Sequence, residues 1–265
     1  MSSILDTIFA AKRQELKEQR RVVSDVAIVA QANHAPPPRD FIAALRARRP
    51  AIIAEIKRAS PSKGDILPQL DPQAVAREYQ ACGAAAISVL TDSHFKGTLE
   101  DLRAVREAVD LPLLRKDFIF HPYQIYEARA AGADCILLIL AMLKEGELRS
   151  LAGLAREVKM AALAEVHNPE EFALASRIGA ELIGINNRDL HTFVTDLAVT
   201  ENLLASSRGA ALIVAESGIS APEDLRRLDT AGARAFLIGE SLLRDGNPAA
   251  KLPELLRALD GVAAR

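Results

Sequence analysis

Charged side chains stand at the ends of apolar segments along this chain, and five of them can move protons or bind anions. They are Glu55, Lys57, Lys116, Glu165 and Glu216. Each lies one or two steps beyond an apolar residue of the same parity, so alternation along a strand would aim it toward the interior. A charge there is costly unless it has a partner or borders water. The pattern predicts a site for proton transfer or for an anionic substrate.

Eight short apolar segments recur along the chain, and helical sequence fills the intervals between them. We predict strands at 51–57, 85–91, 111–118, 134–140, 161–166, 181–186, 211–217 and 235–241. Glycines at positions 132, 179 and 232 end three helices, and a strand follows each at once. This alternation predicts an α/β fold, a (β/α)8 TIM barrel. An open doubly wound sheet is the alternative, but it usually shows a GxGxxG turn after its first strand.

The segment before the first strand has a different pattern. Residues 1–48 are predicted to form an N-terminal helical extension, and residues 49–265 the barrel, within a single domain overall. The apolar side chains Ile4, Leu5, Ile8 and Phe9 would share one stripe of its first helix. Three prolines within 33–40 would end one helix and lead to another.

Composition and charge exclude several classes of function. The 265 residues are 49% apolar and 26% charged, which is globular composition, and the net charge of −2 favours neither nucleic acid nor an anionic membrane. The longest apolar run, 135–143, is shorter than the roughly 20 residues that span a bilayer. Cys82 and Cys135 have no CxxC spacing and are expected to be buried thiols. We therefore expect a cytoplasmic protein with no membrane partner.

The last two predicted strands end in turns that suit phosphate. AESGI and LIGES place Ser217 and Gly218, and then Gly239 and Glu240, where a helix is about to begin. Backbone N–H groups of such turns bind phosphate, and barrels commonly hold phosphate after strands 7 and 8. An ordinary strand-to-helix turn is the alternative interpretation.

Metal and nucleophilic chemistry have less support. The histidines at positions 34, 94, 121, 167 and 191 show no HxH or HExxH spacing, so no metal site is predicted. Each is interpreted as a surface or loop residue, with His167 near the predicted mouth. There is no GxSxG motif. A lysine that forms a Schiff base stays open as an alternative.

The ordered segments IIAEIKRASPSKG, SVLTD, LLRKDFI, ILLIL, LAEVHN, LIGINNRDL, IVAESGI and FLIGESLL carry a resemblance. Along nearly its whole length the chain resembles the indole-3-glycerol phosphate synthase family of tryptophan biosynthesis. The resemblance implies a TIM barrel with an N-terminal helical extension and no metal or cofactor. It also implies a phosphorylated small-molecule substrate, 1-(2-carboxyphenylamino)-1-deoxyribulose 5-phosphate, which undergoes ring closure, decarboxylation and dehydration.

The resemblance also implies roles for the charged residues. Lys116 is the expected general acid, and Glu165 is the expected base, positioned with Asn186. Lys57 is expected to contact the anionic substrate and to supply a proton in dehydration, although which lysine acts at which step stays open. The two remaining carboxylates, those of Glu55 and Glu216, are expected to hold the lysines charged and oriented.

Binding residues follow in the same way. The phosphate cradle implied by the family comprises Ser217, Gly218, Gly239 and the backbone of Glu240. Arg188, with Ser60 or Lys57, would meet the substrate carboxylate, and the apolar wall for the aryl ring would comprise Phe118, Leu137 and Leu190. At position 240 some relatives carry serine, so the carboxylate here must point away from phosphate. The loop SPSKG is expected to help close over the substrate.

Two other readings stay open. Phosphoribosylanthranilate isomerase shares the fold and the type of ligand, but resemblance to it would require a cysteine at a strand end. A non-catalytic barrel that binds a sugar phosphate is a different class of protein, which would not need both Lys116 and Glu165. We expect a monomer.

Overall fold

Eight parallel strands close into a barrel in the computed structural model, which describes residues 4–60, 64–189, 192–205, 210–244 and 247–260. Each barrel strand pairs with the next along the chain, and the first also pairs with the last. The barrel strands are β1 (Ala51–Ile56), β4 (Ala86–Leu90), β5 (Leu113–Lys116), β6 (Cys135–Ile139), β7 (Ala161–Val166), β8 (Leu182–Asn186), β9 (Leu212–Glu216) and β10 (Ala235–Ile238). β2 (Ala59–Ser60) and β3 (Gly64–Asp65) pair antiparallel after β1. The predicted TIM barrel is confirmed, and the open sheet is wrong.

Helices precede the barrel and then surround it. Three lie before β1: α1 (Ile4–Val22), α2 (Asp25–His34) and α3 (Phe41–Arg46). The others are α4 (Pro72–Ala81), α5 (Leu99–Ala108), α6 (Pro122–Ala130), α7 (Glu145–Glu157), α8 (Pro169–Arg177), α9 (Ala198–Ala205), α10 (Pro222–Ala231), α11 (Glu240–Leu243) and α12 (Pro248–Leu256). The predicted glycine ends are confirmed, because Gly132, Gly179 and Gly232 all have positive φ, which suits a residue without Cβ.

Alternation along the strands separates two apolar layers. In β1, Ile52 belongs to the layer between strands and helices, and Ile53 to the layer inside the barrel. Phe41 and Leu45 of α3 pack onto the inner layer, where Ala51 and Ala235 begin their strands. The end of the barrel at which strands begin is thus filled by apolar side chains, and the opposite end is left for polar groups.

Predicted burial holds for one cysteine and fails for the other. Cys135 is buried inside the barrel, whereas Cys82 at the end of α4 is half-buried. Within the described part of the chain, no helix combines the length and apolar character needed to cross a bilayer.

A buried ion-pair cluster fixes α1 beside the strand ends. Lys12 Nζ lies 2.9 Å from Asp117 Oδ1 and 3.2 Å from Asp92 Oδ2, and its side chain is 4% exposed. Burial alone would lower the pKa of Lys12, but Asp117 and Asp92 outweigh that effect and raise it. Asp117 also accepts hydrogen bonds from Arg115 and Thr91. Because Asp117 follows Lys116 directly, α1 is tied to the strand end that carries a predicted catalytic residue.

The predicted apolar stripe of α1 is described in part. Ile8 is buried, and Phe9 meets the ring of Phe120 with centroids 4.7 Å apart. The side chains of Ile4 and Leu5 lie outside the described part of the structure.

Lys12→Met should destabilise the protein, because it leaves buried carboxylates short of a cation. Removing one partner of a buried ion pair costs roughly 3–5 kcal/mol, and we expect the lower end because Asp117 keeps Arg115. Lys17→Met, an exposed lysine on the same helix, should change the free energy of unfolding by less than about 0.5 kcal/mol. Guanidinium denaturation of both variants checks this, and equal midpoints would contradict it.

Candidate active site

One cavity opens where the barrel strands end. Its volume is about 790 Å³, within the roughly 300–1,000 Å³ usual for small-molecule sites. Thirteen predicted site residues line it: Glu55, Lys57, Lys116, Phe118, Leu137, Glu165, Asn186, Arg188, Glu216, Ser217, Gly218, Gly239 and Glu240. The other two are not described there, because Leu190 and the side chain of Ser60 lie outside the described residues. The same holds for residues 61–63 of the predicted closing loop.

Lys116 lies among carboxylates at the end of β5. Its Nζ is 3.2 Å from Glu165 Oε2 and 3.5 Å from Glu216 Oε2. Burial opposes the charge, but Glu165, Glu216 and Glu55 together raise the pKa of Lys116 above its usual range. Lys116 is therefore an ammonium, and it carries the proton that a general acid requires. A Schiff base needs the free amine, so this environment disfavours that alternative for Lys116.

Glu165, at the end of β7, is oriented by an amide. Asn186 Nδ2 donates to Glu165 Oε1 at 3.3 Å, and Asn186 Oδ1 accepts from Ser217 Oγ at 2.9 Å. Burial raises the pKa of Glu165, but Lys116, His167 and Asn186 outweigh burial and hold it well below its usual range. The carboxylate is ionised and has a fixed orientation.

Glu216, at the end of β9, differs from Glu165 in charge. Burial, together with Glu165 and Glu55, raises the pKa of Glu216 to about 8 despite Lys116 nearby. Its Oε1 is buried and has no hydrogen-bond partner within the described structure. A Cβ at Gly184 would collide with this oxygen, so the glycine makes room for the carboxyl group. Glu165 and Glu216 are two carboxyls in one site with opposite charge preferences.

Glu55 and Lys57 form another ion pair, at the end of β1. Lys57 Nζ lies 2.7 Å from Glu55 Oε2, and both side chains are largely buried. Burial raises the pKa of Glu55, but Lys57 and Lys116 more than offset this and lower it. A Cβ at Gly239 would collide with Glu55 Oε2, so Gly239 also provides space for a carboxylate.

The turn after β9 has an unusual backbone. Ser217 and Gly218 have φ of 65° and 79°, in the left-handed region that non-glycine residues rarely adopt. Asn187 Nδ2 donates to the carbonyl oxygens of Glu216 and Ser217, at 3.0 and 3.1 Å, and so holds this turn. Sequence reasoning did not give Asn187 this role, although the motif GINNRDL contains it.

Arg188 and Glu240 face each other beside that turn. Arg188 Nη2 lies 3.6 Å from Glu240 Oε2, and Arg244 Nη2 lies 2.8 Å from Glu240 Oε1. Burial raises the pKa of Glu240, but Arg244, Lys57 and Arg188 lower it overall. The carboxylate of Glu240 is thus turned toward arginines.

An apolar wall also borders the cavity. Phe118 stacks on Phe95 with ring centroids 6.4 Å apart, and Leu137 and Ile8 border the same cavity. Phe95 and the contribution of α1 through Ile8 were not predicted as part of the site. The wall can accept a flat aromatic group.

His167 lies in the loop after β7, as the sequence predicted, but its contact with Glu165 was not predicted. Its side chain is only 12% exposed, with Nε2 3.3 Å from Glu165 Oε1. The sequence contained a signal for this, because His167 stands two positions after Glu165 and so continues its parity beyond the strand. Among the described residues, no group of three His, Cys, Asp or Glu side chains is arranged to hold a metal ion.

Known proteins resemble this chain in sequence. A family model described as indole-3-glycerol phosphate synthase matches residues 5–255. The chain belongs to this family. An indole-3-glycerol phosphate synthase from Roseiflexus sp. is 49% identical over 265 residues, covering 96% of this chain and 98% of its own. One from Chromobacterium violaceum is 46% identical over 263 residues, covering 97% and 99%.

Solved structures at low identity support the fold alone. Thiamine phosphate pyrophosphorylase from Pyrococcus furiosus matches with a TM-score of 0.62 and 18% identity, covering 83% of this chain and 100% of its own. N-acetylmannosamine-6-phosphate 2-epimerase from Clostridium perfringens matches with a TM-score of 0.58 and 16% identity, covering 76% and 91%. The family resemblance inferred from the motifs is confirmed by the family match.

Glu216→Gln should change how stability depends on pH. The pKa of Glu216 is about 8 in the folded protein against 4.5 ordinarily, so the folded state holds this proton more tightly. The stability that comes from this tighter proton binding is fully present below pH 4.5, and it is lost as the pH rises to about 8. As the pH rises through this range, the free energy of unfolding of the wild type should therefore fall relative to that of Glu216→Gln, by up to about 1.4 kcal/mol per pH unit. Urea denaturation between these limits measures this, with Glu157→Gln, an exposed glutamate, expected to follow wild type. Parallel curves for wild type and Glu216→Gln would refute it.

Proposed function

We propose that this chain catalyses the indole-3-glycerol phosphate synthase reaction. Its substrate is 1-(2-carboxyphenylamino)-1-deoxyribulose 5-phosphate, and the products are indole-3-glycerol phosphate, CO2 and water. The observation that carries the proposal is an ammonium beside an ionised carboxylate: Lys116 Nζ lies 3.2 Å from Glu165 Oε2 at the cavity wall. Family membership supplies the reaction to which this acid and base belong.

Lys116 is proposed as the acid of ring closure. The aromatic carbon that bears the carboxylate attacks the ribulose carbonyl carbon, and the carbonyl oxygen gains negative charge. The ammonium of Lys116 stabilises this charge and transfers a proton to the oxygen. Loss of CO2 then returns the electrons of the broken carbon–carbon bond to the ring and restores its aromaticity.

Glu165 is proposed as the base that completes dehydration. The hydroxyl group leaves as water after it receives a proton, for which Lys57 is the proposed donor. Glu165 accepts the proton that must leave the adjacent carbon so that the indole double bond can form. Asn186 and Ser217 support the orientation that this transfer requires.

Substrate binding is proposed to divide along the cavity. The N–H groups of the turn at Ser217 and Gly218, with those at Gly239 and Glu240, would hold phosphate. Arg188 would meet the substrate carboxylate, for which it must exchange its contact with Glu240. Phe118 and the other apolar residues of the wall would cover the aryl ring.

The protein is proposed to be a monomer and to be located in the cytoplasm. Among the described residues, the strongly exposed large apolar side chains are three valines, Val22, Val26 and Val194, and so small a number supports a monomer. The chain has two cysteines in 265 residues, and so low a cysteine content fits a reducing compartment.

The direct test is a fluorescence assay for indole formation from the anilinodeoxyribulose phosphate. We expect turnover by the purified chain without added metal. The same compound without its phosphate should show a KM raised by about tenfold or more, because charge-assisted hydrogen bonds to phosphate would be lost. Binding of the phosphorylated compound without turnover would favour the non-catalytic barrel instead.

Lys116→Ala should lower kcat by at least about 10²-fold while the substrate still binds, because proton donation is needed in the transition state. Lys116→Arg is the matched variant, since arginine keeps the positive charge but does not give up its proton. We expect it to remain at least about 10²-fold slower than wild type. Steady-state kinetics compare the two. A near-normal kcat in Lys116→Ala would contradict the proposal that Lys116 is the general acid. Recovery of kcat in Lys116→Arg would mean that Lys116 acts through its charge alone.

A further inference from the structure

His167 connects the proposed base to the first turn of α8. Its Nε2 lies 3.3 Å from Glu165 Oε1, and its Nδ1 lies 3.1 Å from Glu171 Oε2. Nε2 is buried and forms no regular hydrogen bond within the described structure, so its contact with Glu165 acts through charge. The imidazole ring therefore stands between one buried carboxylate at the site and another nearer the surface.

Glu171 cannot turn away from the ring, because other donors hold it. Its Oε2 also accepts from the backbone N–H of His167 at 2.8 Å, and its Oε1 accepts from Asn168 Nδ2 at 2.7 Å. Glu171 N–H donates in return to Asn168 Oδ1 at 2.9 Å. This reciprocal cap of α8 fixes Glu171, and Glu171 in turn fixes the plane of the imidazole.

The proton count of the ring follows from its neighbours. A neutral imidazole has one N–H, so one of two flanking carboxylates would face a lone pair. Burial lowers the pKa of His167, but Glu165 and Glu171 outweigh it and raise the pKa to about 10. The other groups that act on Glu165 or its partner are Lys116, Asn186, Glu216 and Glu55. Glu216 and Glu55 are acids, and a negative charge on either opposes ionisation of Glu165. Lys116 and His167 are therefore the cations that stabilise the Glu165 carboxylate.

Given the proposed function, we propose that His167 is a positioning residue: an imidazolium that clamps Glu165 Oε1 and leaves Oε2 to accept the substrate proton. Oε1 has two partners, His167 and Asn186, whereas Oε2 has Lys116. Once Lys116 transfers its proton to the substrate, its attraction for Oε2 is lost. The clamp on Oε1 then keeps Glu165 oriented, with Oε2 as the basic oxygen.

Loss of the clamp should affect the chemical step more than binding. His167→Gln keeps a neutral N–H donor but removes the charge. We expect kcat to fall about 10- to 100-fold, the range for groups that orient a reacting ligand, with KM changed by less than about threefold. Without this cation the pKa of Glu165 rises, so Glu165 stays protonated to higher pH. The acid limb of the kcat profile should therefore move upward by about one pH unit.

Two further variants separate charge from structure. Glu171→Gln keeps the backbone N–H that donates to Asn168 Oδ1, but it removes the negative charge beside Nδ1 and one of the two oxygens that accept hydrogen bonds. It should lower the pKa of His167 and shift kcat in the same direction as His167→Gln, by a smaller factor. His34→Gln is the control, since His34 is an exposed histidine on α2, and it should match wild type. An unmoved acid limb in His167→Gln, whether or not kcat falls, would overturn the proposal.

A measurement without turnover keeps the clamp testable on its own. Histidine ring ¹⁵N resonances, assigned by their loss in His167→Gln, should show both nitrogens of His167 protonated at pH 7.5. Their titration should have its midpoint near pH 10. Titration of His167 below pH 7 would overturn the clamp. If wild type forms no indole product but His167 is doubly protonated, the proposed function fails while the ion-pair geometry stands, so the two failures are distinguishable.

Discussion

The charge of Lys116 is the constraint on which the rest of the site depends. Its ammonium lies inside a barrel, where an unpaired charge would be prohibitive, and carboxyl groups from three other strands surround it. Glu165 lies on β7, Glu216 on β9 and Glu55 on β1. Removing any of the four groups would leave the others with a different charge balance. The proton state of each is therefore a property of the cluster rather than of one residue.

Two glycines, which have no side chain, create the space for these carboxyl groups. The inner layer of the barrel would normally be filled at this depth by alternating large residues. Gly184 leaves the volume that Glu216 Oε1 occupies, and Gly239 leaves the volume beside Glu55 Oε2. Neither needs glycine for a left-handed φ, since both are outside the positive-φ set. The requirement is steric, and it explains why glycines interrupt LIGIN and LIGES near strand ends.

Strand position could be read from the sequence because period-two alternation continues from the apolar layer into the charged residues. That is why Glu55, Lys116, Glu165 and Glu216 were all expected at one mouth and are found there. The contact between His167 and Glu165 was not predicted, because the orientation of the ring also depends on Glu171, which belongs to the first turn of α8. Phe95 and Ile8 were missed for a similar reason, since each comes from a segment whose approach to the mouth is set by tertiary packing. The spacing of residues predicts which way a side chain points from its own strand or helix. It does not predict which other segment of the chain packs against that side chain.

In the proposed mechanism, the order of proton transfers follows from the contact between Lys116 and Glu165. While Lys116 is charged, Glu165 is a weak base, because an ammonium beside Oε2 stabilises the carboxylate. Transfer of the lysine proton to the substrate oxygen removes that stabilisation and makes Glu165 more basic for the step that needs it. Glu216 would limit the change, since its pKa is raised partly by Glu165, and it can lose its proton toward neutral Lys116. The proposed acid step would thus prepare the proposed base step, and the buried neutral carboxyl group of Glu216 beside the pair could supply a proton that restores the charge of Lys116.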